Sequence, residues 1–228
     1  MGILRNTRRT RVYIPSQGPT SWQAFLAEPE RQWRTGYSAK TLAHCWENAD
    51  GLPAEVAQMF DGSAELLLAL PEHRVPLDGG NRDSQNDVFA LIRFGEQTCA
   101  ATIEGKVSEA FGPTVGEWYA EPSQGKRERM RQLCGLLGFD DVPPFHIRYQ
   151  LVHRTASALI EAQRFKTDEA AMIVHSFSPA QMWFEDFATF ASLFGAEVKP
   201  DKSSTVILKS RQRLRLGWAT GNRDFLKC

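Results

Sequence analysis

Asn86-Asp-Val-Phe-Ala-Leu-Ile-Arg-Phe-Gly-Glu-Gln-Thr-Cys-Ala-Ala-Thr-Ile-Glu-Gly-Lys106 is the stretch that decides the fold, because two strand-like runs flank a Gly95-Glu96 step. A two-residue hairpin loop with glycine first, as a type II′ turn prefers, pairs Phe94 with Gln97. That register carries Asp87 opposite Glu104, and directly opposed residues share a face with Cβ atoms about 5 Å apart. Lys106, two residues past Glu104, joins them. The other face collects Val88, Ala90, Ile92, Phe94, Cys99, Ala101, Ile103 and Val107, which are almost uniformly apolar and expected to be buried. A slip of one residue would turn Asp87 onto that apolar side. The apolar stripe and the polar trio therefore demand the same register.

Two carboxylates so close repel each other unless a cation lies between them. Hard oxygen ligands with positions left for water and phosphate suit Mg²⁺ or Mn²⁺. Such an ion polarises a phosphoryl oxygen and lowers the pKa of an attacking water. Lys106 is placed to orient or deprotonate that water, or to neutralise charge in the transition state. The competing reading is a cross-strand ion-pair ladder on a solvated sheet face, which adds little stability.

With Asp87 on one strand and Glu104-Gly105-Lys106 on the next, the segment resembles the PD-(D/E)XK nuclease superfamily. Asn86 stands where that family often has proline. The family core runs helix, three strands, helix, strand, and residues 54–178 can supply that order. The resemblance implies a restriction-endonuclease-like α/β fold: a mixed sheet flanked by helices, here with an N-terminal helical extension over residues 1–62 and a core over 63–228. It implies hydrolysis of phosphodiester bonds, in DNA, with Asp87, Glu104 and Lys106 as catalytic residues and Mg²⁺ or Mn²⁺ held by Asp87 and Glu104. A Glu from the first core helix often joins such a metal site, and Glu55 and Glu65 are the candidates. Polar residues of the helix after the motif often reach the substrate, which points to Gln150 and Arg154. The alternative within the same resemblance is a catalytically inactive interaction module.

Outward from the hairpin, the apolar spacing predicts helices over about 20–26, 37–48, 54–60, 123–137, 147–164 and 179–194. Strands are expected at 170–177, 205–208 and 211–219. Glu65 to Leu70 reads equally as a buried strand or a helix end. Arg211, Arg213 and Arg215 alternate with Leu214, Leu216 and Trp218, which suits either a phosphate-tracking strand or an edge strand kept soluble by cations. The helix carrying Trp183, Phe184, Phe187, Phe190 and Phe194 has more aromatics than one core stripe needs, which suggests a homodimer contact.

Composition excludes several classes. The 228 residues carry 27 Lys plus Arg against 27 Asp plus Glu, so nucleic-acid binding would have to come from local charge and not from a polycation. No apolar run is long enough for a spanning helix, and the basic start, with Arg5, Arg8, Arg9 and Arg11, lacks the apolar region of a signal peptide. A cytoplasmic protein without membrane partners is the expectation. The four cysteines are too far apart for a zinc-binding spacing, and the five histidines are equally scattered.

Overall fold

The computed structural model describes residues 16–60 and 64–228. The arginines of the N-terminal arm lie outside the described residues. Six strands, β1 (Ala64–Val75), β2 (Ser84–Phe94), β3 (Gln97–Lys106), β4 (Glu169–Ser176), β5 (Lys202–Ile207) and β6 (Arg213–Thr220), form one open sheet in the order β1-β2-β3-β4-β6-β5. β1, β2 and β3 are antiparallel neighbours, β3, β4 and β6 run parallel, and β5 closes the far edge antiparallel to β6. The helices are α1 (Pro29–Gln32), α2 (Ser38–Asn48), α3 (Ala54–Ala57), α4 (Val115–Trp118), α5 (Gln124–Leu137), α6 (Tyr149–Phe165) and α7 (Phe184–Ser192). This is the mixed α/β class read from the sequence.

The hairpin register is the one the sequence requires: Phe94 pairs with Gln97, and the ladder continues to Val88 and Ile103. Gly95 takes φ +55°, the left-handed region a tight hairpin loop needs. The face bearing Val88, Ala90, Ile92, Cys99, Ala101 and Ile103 packs against Leu42, Trp46, Val56, Met59 and Phe60 from α2, α3 and the turn after it. The opposite face, through Phe89, Ala100 and Val174, packs against Leu133, Leu151, Leu159, Phe187 and Phe190 of α5, α6 and α7. Parallel strands covered on both sides read as continuous apolar runs, and every residue of β4 is buried.

Three expectations change and one open reading closes. The N-terminal helices are not an extension: an apolar sheet face must be covered, and α2 and α3 are the cover. The run from Glu65 to Leu70, open between strand and helix end, is a strand, and β1 continues through Pro71, which an edge position tolerates because no ladder partner needs its missing N–H. β6 is an internal strand, and two cations of the basic stripe are engaged within the chain. Arg213 and Arg215 bind the buried carboxylate of Glu169 at 2.6 and 3.0 Å, and Arg215 lies 5.2 and 5.3 Å from the rings of Phe60 and Phe94. Those cations neutralise a buried charge. Most of the aromatic surplus around α7 is absorbed within the chain: Phe187 and Phe190 are fully buried, and Phe184 meets Trp218 edge-on at 5.2 Å.

No helix among the described residues is long and apolar enough to cross a membrane.

Candidate functional site

Beyond Val88 and Ile103 the β2–β3 ladder stops, although β3 continues to pair with β4 as far as Lys106 and Ser176. The Gly105 N–H, released from that ladder, donates to Asp87 Oδ2 at 2.8 Å. A side chain at Gly105 would press on Leu42 Cδ2 at 3.2 Å and on Asp87 Oδ2 at 3.4 Å, so the middle residue of Glu104-Gly105-Lys106 is kept small by α2. The strands splay here, and a cavity of about 510 Å³ opens over the gap. Asp87, Glu104, Lys106, Gln150 and Arg154 all line it.

Helix α6 explains this convergence. Its apolar side, with Leu151, Ala158 and Ala162, lies on the sheet. Gln150 and Arg154, one turn apart, are thereby set over Glu104. Gln150 Nε2 donates to Glu104 Oε1 at 2.7 Å and Arg154 Nε to Glu104 Oε2 at 2.8 Å. Lys106 Nζ donates to Glu104 Oε1 at 2.8 Å and to Gln150 Oε1 at 3.3 Å, and sits 4.9 Å from the centre of the Phe111 ring. Arg154 Nη1 reaches on to Ser84 Oγ at 3.3 Å, itself 2.8 Å from His153 Nδ1. The solvated ladder is therefore overturned: Glu104 is 2% and Lys106 4% exposed, because α6 covers their face.

The electrostatics divide the carboxylates. Burial would raise the Glu104 pKa, but the charges and hydrogen bonds of Lys106 and Arg154 outweigh it and hold the group below its ordinary value. Asp87 is pushed up to about 7 by burial and by the negative charge of Glu104.

A third carboxylate, which sequence reasoning missed, completes the group. Glu72 lies in β1 between the Pro71/Val88 and His73/Asn86 pairs, opposite Asp87. Burial and the charge of Asp87 raise its pKa to about 8, and Gln85 Nε2 donates to its Oε2 at 2.7 Å. Its backbone has φ +52°, a strained conformation for a non-glycine residue inside a strand. Nothing in the spacing of β1 signals this residue, since its face is set by that local distortion. The cavity lining holds five carboxylates, Glu28, Glu72, Asp87, Glu104 and Glu109, against three cations, Arg31, Lys106 and Arg154.

Glu55 and Glu65 do not join them. Glu65 pairs with Arg93 near the hairpin loop, about 20 Å along the strands from Asp87. Glu55 lies on the opposite sheet face, where His175 Nε2 is 2.9 Å and Cys45 Sγ 3.6 Å from its Oε1. These three side chains bring one sulfur, one oxygen and one nitrogen within 4.8 Å of one another, donors that suit a borderline-soft ion and not Mg²⁺. However, the Trp46 indole, which can only donate, approaches His175 Nδ1 at 3.4 Å. Nδ1 is then the acceptor, Nε2 carries the proton, and Glu55 accepts it. The trio closes as a hydrogen-bonded set without an ion.

Burial and the Glu55 charge push the Cys45 thiol far up, and Cys99 and Cys134 are buried as well, with their thiols also raised by burial. Titration of the native protein with a thiol reagent is expected to count one cysteine, the exposed Cys228, and all four after denaturation. Rapid native reaction of a second thiol would contradict this packing.

Comparison with known proteins places the chain without assigning it a function. A family model described as a domain of unknown function (DUF6946) matches residues 15–223, so the chain belongs to that family. Neither a curated protein nor a solved structure matches it.

Proposed function

We propose that this member of the DUF6946 family is a divalent-metal-dependent nuclease of the PD-(D/E)XK kind, acting on DNA. The observation that carries the reading is the meeting of Asp87 and Glu72, both with raised proton affinity, beside Glu104 and Lys106 in one cavity. Carboxylates crowded enough to hold protons near neutral pH are relieved by a cation.

The donors are hard oxygens of the kind Mg²⁺ or Mn²⁺ takes, set more loosely than those of Cys45, Glu55 and His175, since they do not all lie within 4.8 Å of one another. One oxygen of Asp87 is taken by Gly105 N–H and one of Glu72 by Gln85, which leaves an oxygen on each with its lone pairs open to a ligand. Glu104 Oε2 accepts from Arg154 and keeps a further lone pair. Asp87, Glu104 and Glu72 would hold the ion, which supplies polarisation of a phosphoryl oxygen and a lowered pKa for a bound water. The chain does the rest. Lys106 directs two N–H groups at Glu104 and Gln150, and its third is available to a water or to the phosphoryl group undergoing attack. Gln150 and Arg154 fix the orientation of Glu104 and, through it, that of Lys106.

A second reading, an inactive module that binds its partner through the same cavity, is favoured by one observation. Glu104 is already neutralised by Lys106 and Arg154. Incubation with single-stranded, linear duplex and plasmid DNA separates the two readings. Cleavage is expected with Mg²⁺ or Mn²⁺ and none with EDTA. Intact DNA on all three substrates with both metals would leave the binding module.

A further inference from the structure

The segment from Leu26 to Ala39, including α1 and the first turn of α2, forms one wall of the cavity. It is fixed in place. Glu109, just past β3, accepts the Ser38 N–H at 2.8 Å with one oxygen and the Val107 and Ser108 N–H groups at 3.0 and 3.1 Å with the other. At the other end Gln85 Nε2, already bound to Glu72, reaches Phe25 O at 3.4 Å. Gln85, which bonds Glu72, thus also ties down one end of this wall.

That wall presents Leu26, Arg31 and Tyr37 to the cavity. Tyr37 is 43% exposed, the Arg34 guanidinium lies over its ring at 6.0 Å from the centre, and its hydroxyl has no hydrogen-bond partner among the described residues. An exposed aromatic ring in one cavity with Arg31, Lys106 and Arg154 offers the two elements by which single strands are held: a ring on which a base stacks and cations that the backbone follows. A paired base cannot do this, because both of its faces are already stacked within the duplex. The volume, about 510 Å³, falls among sites that take a molecule of nucleotide size.

Resting on the nuclease reading, we propose that the cavity takes one unpaired strand of nucleic acid, with a base stacked on Tyr37, Arg31 against a flanking phosphate, and the scissile phosphate at Asp87, Glu104 and Lys106. The substrate is a single-stranded end or flap, and Tyr37 is a specificity-determining residue. DNA and RNA share this chemistry, so both are arms of the test.

The experiment measures binding of short fluorescent oligothymidylate, oligouridylate and a duplex of the same length by anisotropy in Ca²⁺, beside cleavage in Mg²⁺ or Mn²⁺. A single strand is expected to bind at least about tenfold tighter than the duplex, and Tyr37→Ala to weaken it roughly 5- to 150-fold, the range carried by base–aromatic stacking. Tyr37→Phe keeps the ring and should stay within about twofold of the parent. Equal or tighter duplex binding, or single-strand binding untouched by Tyr37→Ala in a folded variant, overturns the proposal. Its failure is distinct from that of the nuclease reading. Tyr37-dependent binding of a single strand without cleavage removes the catalysis and keeps the occupant. Cleavage of duplex and single strand at equal rates, indifferent to Tyr37, removes the occupant and keeps the catalysis.

Discussion

Asp87→Asn is expected to abolish metal-dependent cleavage while leaving the metal-free protein as stable as the parent at neutral pH, and more stable at alkaline pH. The reason lies in the sign of the carboxylate shifts. Asp87 and Glu72 ionise near 7 and 8 in the folded protein, against about 4 in an unfolded chain. Between about pH 4 and pH 8 the folded state therefore binds more protons than the unfolded one, and metal-free stability falls as pH rises through that window. Asparagine at 87 removes one charge of the crowded pair, so its melting curve should be flatter against pH. Mg²⁺ should reverse the loss in the parent by RT ln(1 + [Mg²⁺]/Kd), about 2.7 kcal/mol at a hundredfold excess over Kd, and should do little for the variant. Melting scans from about pH 5 to 9, with and without Mg²⁺, read both effects. Parallel curves for the two proteins, both indifferent to Mg²⁺, would reduce Asp87 to a structural acceptor for Gly105 N–H.

The hairpin was legible because two independent patterns, an apolar stripe and a polar trio, agreed on one register, and neither survives a one-residue slip. Gln150 and Arg154 were legible for a similar reason: residues one helical turn apart beside an apolar stripe must sit at the same edge of it. Glu72 was not, because its direction depends on a left-handed backbone within an edge strand, and alternation along the strand says nothing about such a break. Glu55 misled because its position in the first core helix matched the expected order of elements, whereas α3 packs on the far face of the sheet, where His175 takes it. The arginines of β6 misled in the opposite way. Alternating cations read as a solvated face when the partner carboxylate, Glu169, lies 44 residues earlier in sequence on a neighbouring strand. Burial of charge is decided by such distant partners, which local periodicity cannot register.

Arg154→Ala is expected to cost about 3–5 kcal/mol of folding stability, the range for removing one partner of a buried ion pair. Arg154 donates to Glu104 and to Ser84, and the side chains of Arg154 and Glu104 are only 9% and 3% exposed, so neither water nor salt replaces the lost guanidinium. An exposed pair of the same geometry would cost only about 0–1 kcal/mol, so denaturant unfolding decides between the two. Adding Glu104→Gln to Arg154→Ala should not recover the loss, because Lys106 still pairs with Glu104 in the single variant and is left as a buried cation without its carboxylate in the double one. A cost below about 1 kcal/mol for Arg154→Ala would mean that water reaches Glu104 and that Lys106 alone satisfies it. A large cost with full recovery in the double variant would instead locate the penalty in a stranded carboxylate that Lys106 does not satisfy. That outcome would bear on function as well, since a Glu104 that must be neutralised to stay buried is one that a second cation in the cavity can stabilise in place of Arg154.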